Sequence, residues 1–333
     1  MSEMQNPYLM FLGDVADQLG AKTAQGIVDW RPEWCVGQLR LNGCVADLGI
    51  KDISIDEAVA AGAKTLIIGI VNSGGFLPAH WTTKIVEALN KGMDVASGLH
   101  IRLGDLPEIK EAAERNGASL FDVRHPTHDI ATGKGEPRNG KRLLAVGTDC
   151  SVGKMYTALA IEKEMRARGW KADFRATGQT GIFIAGTGIS IDAVVADFIS
   201  GAVEELSPDN DADHWDIIEG QGSLFHPSYA GVSLGLIHGA QADALVLCHE
   251  PTRTHMRGIP HQPLPGLQEC IDLNLKNAQL TNRNARFVGV CVNTSGLEKP
   301  EIQSYLEQLE TELNLPCTDP YSHGTKAIVD NIG

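Results

Sequence analysis

The chain has 333 residues, of which 43% are hydrophobic and 21% are charged, as expected for a globular protein of one large or two medium domains. Its formal net charge of −14 argues against a nucleic-acid partner, because proteins that bind a phosphate backbone carry an excess of lysine and arginine. No apolar run is long enough to span a membrane, and the N-terminus does not resemble a signal peptide. Seven widely spaced cysteines without a C-x-x-C pair indicate reduced thiols, so we expect a cytoplasmic protein.

The first part of the chain alternates short apolar runs with amphipathic stretches. Strands are predicted at residues 8–13, 65–70, 93–97 and 119–123. Helices are predicted after the capping box Ser54-Ile-Asp-Glu57, at about 82–91, and from Pro107 to Arg115. Strands that alternate with helices in this way predict a parallel sheet.

Residues 124–142 lack apolar periodicity and are rich in glycine, proline and charge, so they predict a linker. A second series of predicted strands follows at residues 142–147, 171–176, 216–220, 244–250 and 287–293. We therefore predict an α/β protein with a Rossmann-like parallel-sheet domain over residues 1–135 and a P-loop NTPase-like parallel-sheet domain over residues 136–333.

The string that follows the strand at 142–147 predicts a phosphate-binding loop. It lies between a strand and a helix, where successive backbone N–H groups and the helix N-terminus attract phosphate, and Lys154 adds a positive charge. The predicted phosphate-binding residues are Gly147, Thr148, Asp149, Cys150, Ser151, Val152, Gly153, Lys154 and Met155.

This loop departs from the common P-loop pattern in two ways. Five residues, not four, separate Gly147 from Gly153. Met155 also stands where serine or threonine normally binds Mg²⁺, and a thioether is a poor ligand for that hard cation. The loop therefore predicts phosphate binding more strongly than ATP cleavage. Cys150 is either a nucleophile or, more simply, a small residue that fills space.

Polar residues follow another predicted strand at the run Ile217-Ile-Glu219-Gly-Gln221-Gly-Ser-Leu-Phe-His226. In an open parallel sheet, binding sites lie beyond the carboxyl ends of the strands. Glu219 and His226 are thus candidate general bases, and Gln221 is a candidate substrate ligand. The alternatives for Glu219 are a metal ligand or an acid that merely accepts backbone hydrogen bonds in the turn.

Further candidates follow the strand at 244–250. His249 ends this strand and is a candidate catalytic residue, although a bonded structural histidine is equally compatible with its position. Arg253 and Arg257 follow closely, and an arginine beyond a strand end can bind a carboxylate through two parallel hydrogen bonds.

The remaining candidates follow three other strands. Gln179 lies in the Gly178-Gln-Thr-Gly181 turn and is assigned to the cofactor. In the first domain, Asn72, Ser73 and Gly74 form a glycine turn after the strand at 65–70, and Arg124 follows the strand at 119–123; all four are assigned to the substrate. The turn at 72–75 lacks the full G-x-G-x-x-G spacing, so an NAD-dependent oxidoreductase is only weakly indicated.

Gly147-Thr-Asp with Val-Gly-Lys154, and Glu219-Gly with Gly222, resemble the dethiobiotin synthetase-like P-loop proteins. The wider set LIIGIVNSGGFLPAHW, GTDCSVGKM, RATGQTGIFIAG, EGQGSLFHP and CHEPTR resembles, over essentially the whole chain, a P-loop family long filed under unknown function. That family includes D-glutamate N-acetyltransferases of D-amino-acid catabolism.

The resemblance implies acetyl transfer from acetyl-CoA, as co-substrate, to the amino group of D-glutamate, without a metal. The loop would hold the CoA phosphates, and Glu219 or His226 would take the proton. Two other classes stay open: an ATP-dependent ligase or kinase of the dethiobiotin synthetase type, and a non-catalytic nucleotide or CoA-binding protein. We expect small-molecule partners only, no membrane association, and a homo-oligomer.

Overall fold

The computed structural model describes residues 4–71 and 76–333, and these form two compact units. The first unit contains the described residues up to Thr127 together with Gln179–Ser190. The second contains His128–Gly178 and Ile191–Gly333. The sequence places the boundary between residues 135 and 136, whereas the division in the structure falls after Thr127 and also assigns Gln179–Ser190 to the first unit.

The first unit is built on a five-stranded parallel sheet in the order β2-β1-β3-β4-β5. Its strands are β1 (Tyr8–Gly13), β2 (Cys35–Arg40), β3 (Thr65–Ile68), β4 (Asp94–Ser97) and β5 (Leu120–Asp122). Its first four helices are α1 (Lys22–Trp30), α2 (Ile55–Ala60), α3 (Ala79–Asn90) and α4 (Pro107–Asn116). The predicted capping box is present at α2, where Ser54 and Glu57 each accept a backbone hydrogen bond from the other.

The second unit is built on a six-stranded parallel sheet in the order β13-β12-β9-β6-β8-β7. Along the chain the elements are β6 (Lys141–Gly147), α5 (Lys154–Ala167), β7 (Ala172–Arg175), α6 (Gln179–Ala185), α7 (Ile199–Leu206), β8 (Trp215–Ile218), α8 (Ala230–Ala240), β9 (Ala244–His249), the hairpin β10 (His255–Met256) and β11 (Ile259–Pro263), α9 (Leu267–Ala278), β12 (Arg286–Val292), α10 (Lys299–Leu313), β13 (Cys317–Thr318) and α11 (Lys326–Asp330). Of these, α6 belongs to the first unit.

The strand that leads into the phosphate loop lies in the middle of this second sheet. Strand β6 pairs with β8 on one side and with β9 on the other, and its residues after Lys141 are all buried. A strand covered on both faces reads as a continuous apolar run, which is how RLLAVG was identified in the sequence. The loop is therefore held by a rigid, buried strand, with the ends of β8 and β9 beside it.

Arg138, in the predicted linker, packs within the second unit. Its guanidinium donates to the carbonyl oxygens of Ser207 at 2.6 Å and Gly239 at 2.5 Å, near the C-terminal ends of α7 and α8. The last carbonyls of a helix have no partner within the helix and carry its negative dipole end, so a cation there is stabilising.

Candidate functional site

The phosphate loop connects β6 to α5 through a backbone path that depends on glycine at two points. At Gly147 a Cβ atom would lie 2.9 Å from Val152 Cγ2 and 3.0 Å from Lys154 Nζ, so a side chain has no room there. Gly153 has a φ of 101° and precedes the first turn of α5, a conformation that favours glycine. The non-glycine residue Ser151 also has a positive φ, of 54°, which is a strained value held by its surroundings.

Lys154 lies inside this loop, not on the surface. Its side chain is buried, and Nζ donates to the carbonyl oxygen of Asp149 at 2.7 Å. Burial lowers the pKa of Lys154, although nearby thiol and carboxyl groups oppose the shift. The ammonium thus lies against the loop backbone, and the loop leads into α5, whose first N–H groups have no partners within the helix. A lysine and a helix N-terminus of this kind are suited to an anion.

Asp149 organises the loop from within. It is fully buried, and Oδ1 accepts from the N–H of Cys150 at 2.6 Å, while Oδ2 accepts from Arg253 Nη1 and from the N–H of Arg257, each at 2.8 Å. Burial alone would raise the pKa of Asp149, but these hydrogen bonds and the Arg253 charge outweigh it, so the net shift is downward. Asp149 is therefore ionised, and its hydrogen bonds stabilise the conformation of the loop.

The two arginines after β9 both contact the loop. Arg253 Nη1 also donates to the carbonyl oxygen of Cys150 at 2.6 Å, and Nε donates to Glu250 at 3.0 Å. Arg257 Nη1 donates to the Ser151 hydroxyl. Arg253 is thus saturated by protein groups, whereas the Arg257 guanidinium makes a single described contact. Their predicted role in binding substrate carboxylates stays a prediction.

Glu219 follows β8, the strand beside β6, and its carboxyl group is held at the neighbouring strand end. Oε2 accepts from the N–H groups of Thr177 at 2.9 Å and Gly178 at 3.1 Å, both just beyond β7. Burial raises the pKa of Glu219 to about 7, against the opposing effects of these N–H groups and of the Lys154 charge. A carboxyl group with this pKa exchanges a proton near neutral pH, as a general base must.

Two glycines, Gly220 and Gly178, allow neighbouring backbone and side chains to pack closely around Glu219. At Gly220 a Cβ atom would lie 1.6 Å from the carbonyl oxygen of Ala145 and 3.0 Å from Lys154 Cδ, so the chain passes directly beside the lysine stem. At Gly178 a Cβ atom would lie 3.2 Å from Glu219 Oε1 and 2.7 Å from Gln221 Nε2. A side chain at Gly178 would therefore collide with Gln221, so glycine permits the close packing beside Oε1, the carboxyl oxygen that does not accept from the Gly178 N–H.

Gln221 ties the ends of β7 and β8 together. Its Nε2 donates to Thr177 Oγ1 at 3.1 Å, and that hydroxyl donates in turn to the carbonyl oxygen of Glu219 at 2.7 Å. Thr177 and Gly178 contact the candidate base Glu219, and the sequence analysis did not assign them individually. The signal that pointed to them was the glycine-rich turn after the strand at 171–176.

The buried side chain of His226 is engaged on both sides of its ring. The N–H of Ser228 donates to Nδ1 at 3.2 Å, so Nε2 carries the proton and donates to the carbonyl oxygen of Arg257 at 3.1 Å. The ring also stacks on Tyr229 with centroids 4.6 Å apart. These contacts link the turn after β8 to the hairpin β10–β11.

His249 and Cys150 are both held in their uncharged forms. His249 Nδ1 lies 3.3 Å from Thr148 Oγ1, and burial lowers the pKa of His249 to about 4. Burial likewise raises the pKa of the Cys150 thiol, although Lys154 opposes the shift. Neither group therefore carries its charged form at neutral pH.

Among the described residues, Asp149, Cys150 and His226 form a group whose possible metal-ligand atoms lie within 4.8 Å of one another. Both carboxylate oxygens of Asp149 and both ring nitrogens of His226 already take part in hydrogen bonds. A metal ion bound by this group would have to share or displace these contacts.

Two family models cover most of the chain. One is described as a domain of unknown function, DUF1611_C P-loop domain, and matches residues 129–329. The other is described as a domain of unknown function, DUF1611_N Rossmann-like domain, and matches residues 40–126. The chain belongs to the DUF1611 family.

Proteins similar to this chain include another DUF1611 member of known structure. The crystal structure of a DUF1611 family protein from Anabaena variabilis shares 31% identity, with a TM-score of 0.88 over 98% of this chain and 99% of that chain. Two relatives are named D-glutamate N-acetyltransferase. The one from Tritonibacter scottomollicae is 55% identical over 98% of both chains, and the one from Pseudoalteromonas sp is 51% identical over 99% of both. The predicted fold class, Rossmann-like followed by P-loop, is confirmed.

Two other predicted site residues of this DUF1611 chain, Arg124 and Gln179, lie in its first unit. Arg124 is buried there, and its Nε donates to the carbonyl oxygen of Gly98 at 3.0 Å. Gln179 begins α6, and its buried Oε1 has no hydrogen-bond partner among the residues that the structure describes. Asn72, Ser73 and Gly74 lie outside the described residues. No described helix is both long and apolar enough to cross a membrane.

Proposed function

We propose that this protein transfers the acetyl group of acetyl-CoA to the amino group of D-glutamate, which yields N-acetyl-D-glutamate and free CoA. The observation that carries the proposal is Glu219, a buried carboxyl group with a pKa of about 7 at the strand end beside the phosphate loop. The two relatives named D-glutamate N-acetyltransferase support the choice of reaction.

The reaction needs a base because an amino acid presents its amino group as an ammonium, which cannot attack a carbonyl. Glu219 takes that proton through its carboxylate form. The neutral amine then forms a nitrogen–carbon bond with the thioester carbonyl, and the carbon–sulfur bond breaks. The substrate nitrogen loses two protons in all, one before the attack and one from the tetrahedral intermediate; one of them passes to the departing CoA thiolate and the other to solvent. Oε2 is fixed by Thr177 and Gly178, so Oε1 is the oxygen assigned to the proton transfer.

The phosphate loop would serve as an anion cradle for CoA. Coenzyme A contains a diphosphate and a 3′-phosphate, and no bond to phosphorus breaks during acetyl transfer. Lys154 and the N–H groups that begin α5 supply the positive field, and no Mg²⁺ is required. Met155 is compatible with this function. Serine or threonine at that position binds Mg²⁺ for phosphoryl transfer, and acetyl transfer includes no such step.

Direct attack on the thioester is preferred to an acetyl-cysteine intermediate. A cysteine nucleophile acts as its thiolate, and burial raises the pKa of Cys150, which disfavours that form. Backbone N–H groups of the glycine turn at 220–222 are assigned to the oxyanion of the tetrahedral intermediate.

A guanidinium group is well suited to bind the substrate carboxylates. Arg257 is the better of the two arginines at the loop, because Arg253 is committed to Asp149, Cys150 and Glu250, whereas Arg257 makes one side-chain contact with Ser151. A bidentate pair with arginine would fix the orientation of the substrate as well as bind it.

A second candidate is an ATP-dependent ligase or kinase, which the phosphate loop itself favours. The two reactions differ in what they release and in their need for metal. Free thiol released from acetyl-CoA upon addition of D-glutamate, in the presence of EDTA, supports acetyl transfer. ADP formed from ATP only with Mg²⁺ and D-glutamate, with no thiol released, supports the ligase or kinase.

A further inference from the structure

Tyr321 is an exposed aromatic residue on a rigid turn at the carboxyl end of β13. Its side chain is 64% exposed, and its ring contacts that of Tyr156, with centroids 5.8 Å apart and an interplanar angle of 64°. Tyr156 is the third residue of α5, two residues after Lys154, or about 3 Å along the helix axis. The aromatic pair therefore lies at the first turn of α5, the helix into which the phosphate loop leads.

The turn that carries Tyr321 is fixed by buried hydrogen bonds. Asp319 is buried; its Oδ1 accepts from the N–H groups of Tyr321 at 2.9 Å and Ser322 at 3.0 Å. Its Oδ2 accepts from the N–H of Thr294 at 3.2 Å and from the Thr294 hydroxyl at 2.5 Å. Further along, Thr325 donates to the carbonyl oxygen of Ala160 in α5 at 3.1 Å. A large aromatic side chain is thus held in solvent on a backbone with little freedom.

We propose that Tyr321, backed by Tyr156, is the stacking platform for the adenine ring of the ligand whose phosphates occupy the loop. Bases stack on aromatic side chains whatever their hydrogen-bonding edges, and an exposed tyrosine on a fixed backbone binds a ring at small cost in conformational entropy. The inference rests on the proposed binding of CoA phosphates by the loop.

The order of groups along CoA agrees with the order of strands along the sheet. The diphosphate of CoA lies between its adenosine and its pantetheine arm, which ends in the thioester. In the sheet, β6 with the phosphate loop lies between β13, which leads to Tyr321, and β8, which leads to Glu219. An extended CoA molecule with its diphosphate at the loop and its adenine at Tyr321 therefore directs the thioester toward Glu219.

The test compares ligands that contain adenine with one that lacks it. Calorimetric binding of CoA, ADP and 4′-phosphopantetheine would be measured for the wild-type protein and for the Tyr321→Ala and Tyr321→Phe variants. We expect Tyr321→Ala to weaken the binding of CoA and ADP by roughly five- to hundredfold and to leave 4′-phosphopantetheine binding unchanged, while Tyr321→Phe binds like wild type. Leu280→Ala is a matched control, because Leu280 is exposed but follows α9 at the opposite, amino-terminal edge of the sheet.

The inference is overturned if Tyr321→Ala binds CoA and ADP as well as wild type does, if it weakens all three ligands equally, or if neither CoA nor ADP binds the wild-type protein. Thermal unfolding of each variant checks that the exposed substitution leaves the fold intact. Failure of the proposed acetyl transfer is distinguishable, because ADP alone can report adenine stacking when acetyl-CoA yields no free thiol.

Discussion

Arg253 Nη1 lies 2.8 Å from Asp149 Oδ2, which places an arginine from the segment after β9 against the one acidic residue of the phosphate loop. The acid is fully buried and the arginine side chain is 17% exposed. A carboxylate inside a phosphate-binding loop would repel phosphate. Arg253 offsets this charge, while the N–H groups of Cys150 and Arg257 fix the carboxylate in position.

Replacing Arg253 with methionine should therefore destabilise the protein, because it leaves the buried Asp149 carboxylate without its cation. We expect a loss of about 3 kcal/mol in the free energy of unfolding, measured by urea denaturation. Adding Asp149→Asn to this variant should restore part of the loss. The exposed Arg283, replaced in the same way, is the control. Unchanged stability together with a raised KM for glutamate would instead make Arg253 a ligand of the substrate carboxylates.

Glu219→Gln tests the base directly. The amide keeps the shape of the side chain, and its oxygen can still accept from the N–H groups of Thr177 and Gly178, but it cannot accept a proton. We expect kcat to fall by roughly 10²–10⁴-fold while the affinity for acetyl-CoA changes little, as measured by steady-state kinetics and calorimetry. The exposed Glu312→Gln serves as the control. Full activity of Glu219→Gln would remove this residue from the mechanism.

The pH dependence follows from the raised pKa of Glu219. The base acts in its ionised form, so kcat/KM should rise with pH through about 7 and level off above it. The neutral His249, with its pKa lowered to about 4, should add no inflection near neutrality. A profile of log kcat/KM from pH 5 to 9 checks this expectation. A wild-type profile that is flat through pH 7, or an inflection that persists in Glu219→Gln, would assign the titration to another group.

Lys154→Ala tests the phosphate cradle. Removal of the ammonium should weaken CoA binding by about 1.5–3 kcal/mol, the range for hydrogen bonds to charged groups. The Met155→Leu variant should bind CoA with an affinity close to that of the wild-type protein, because no residue at position 155 holds a metal in the proposed mechanism. Calorimetry with CoA in EDTA measures both. An unchanged affinity in Lys154→Ala would place the phosphates elsewhere.

The sheet architecture was predictable from the sequence, but not all of its elements. Strand β6 and the loop were identified because a buried strand is continuously apolar and the glycines mark the turn. Strand β2 was missed, because its sequence CVGQLR contains glycine, glutamine and arginine, and its burial is only partial at most positions. The assignment of α6 to the first unit was also beyond reach, since only tertiary packing separates it from the neighbouring residues in sequence.

The candidate site was likewise predictable only in part from the sequence. Glu219 was predicted from its place after a strand, and this rule needs no knowledge of strand order. The partners of Glu219 could not be predicted, since the sequence does not say that β7 and β8 are neighbours. His226 was also predicted as a candidate base, and that role stays a prediction. Its hydrogen bonds to Ser228 and Arg257 could not be read from the sequence, because they exist only in the folded chain.

The most direct test of acetyl transfer to D-glutamate is to follow the release of free thiol from acetyl-CoA with D-glutamate in EDTA, alongside L-glutamate, and to identify the product by mass spectrometry. We predict equal amounts of CoA and N-acetyl-D-glutamate, formed without metal and without nucleotide, and a lower rate of formation in Glu219→Gln. Acetyl transfer to D-glutamate is contradicted if no thiol is released with D-glutamate, or if D-glutamate is consumed only with ATP and Mg²⁺.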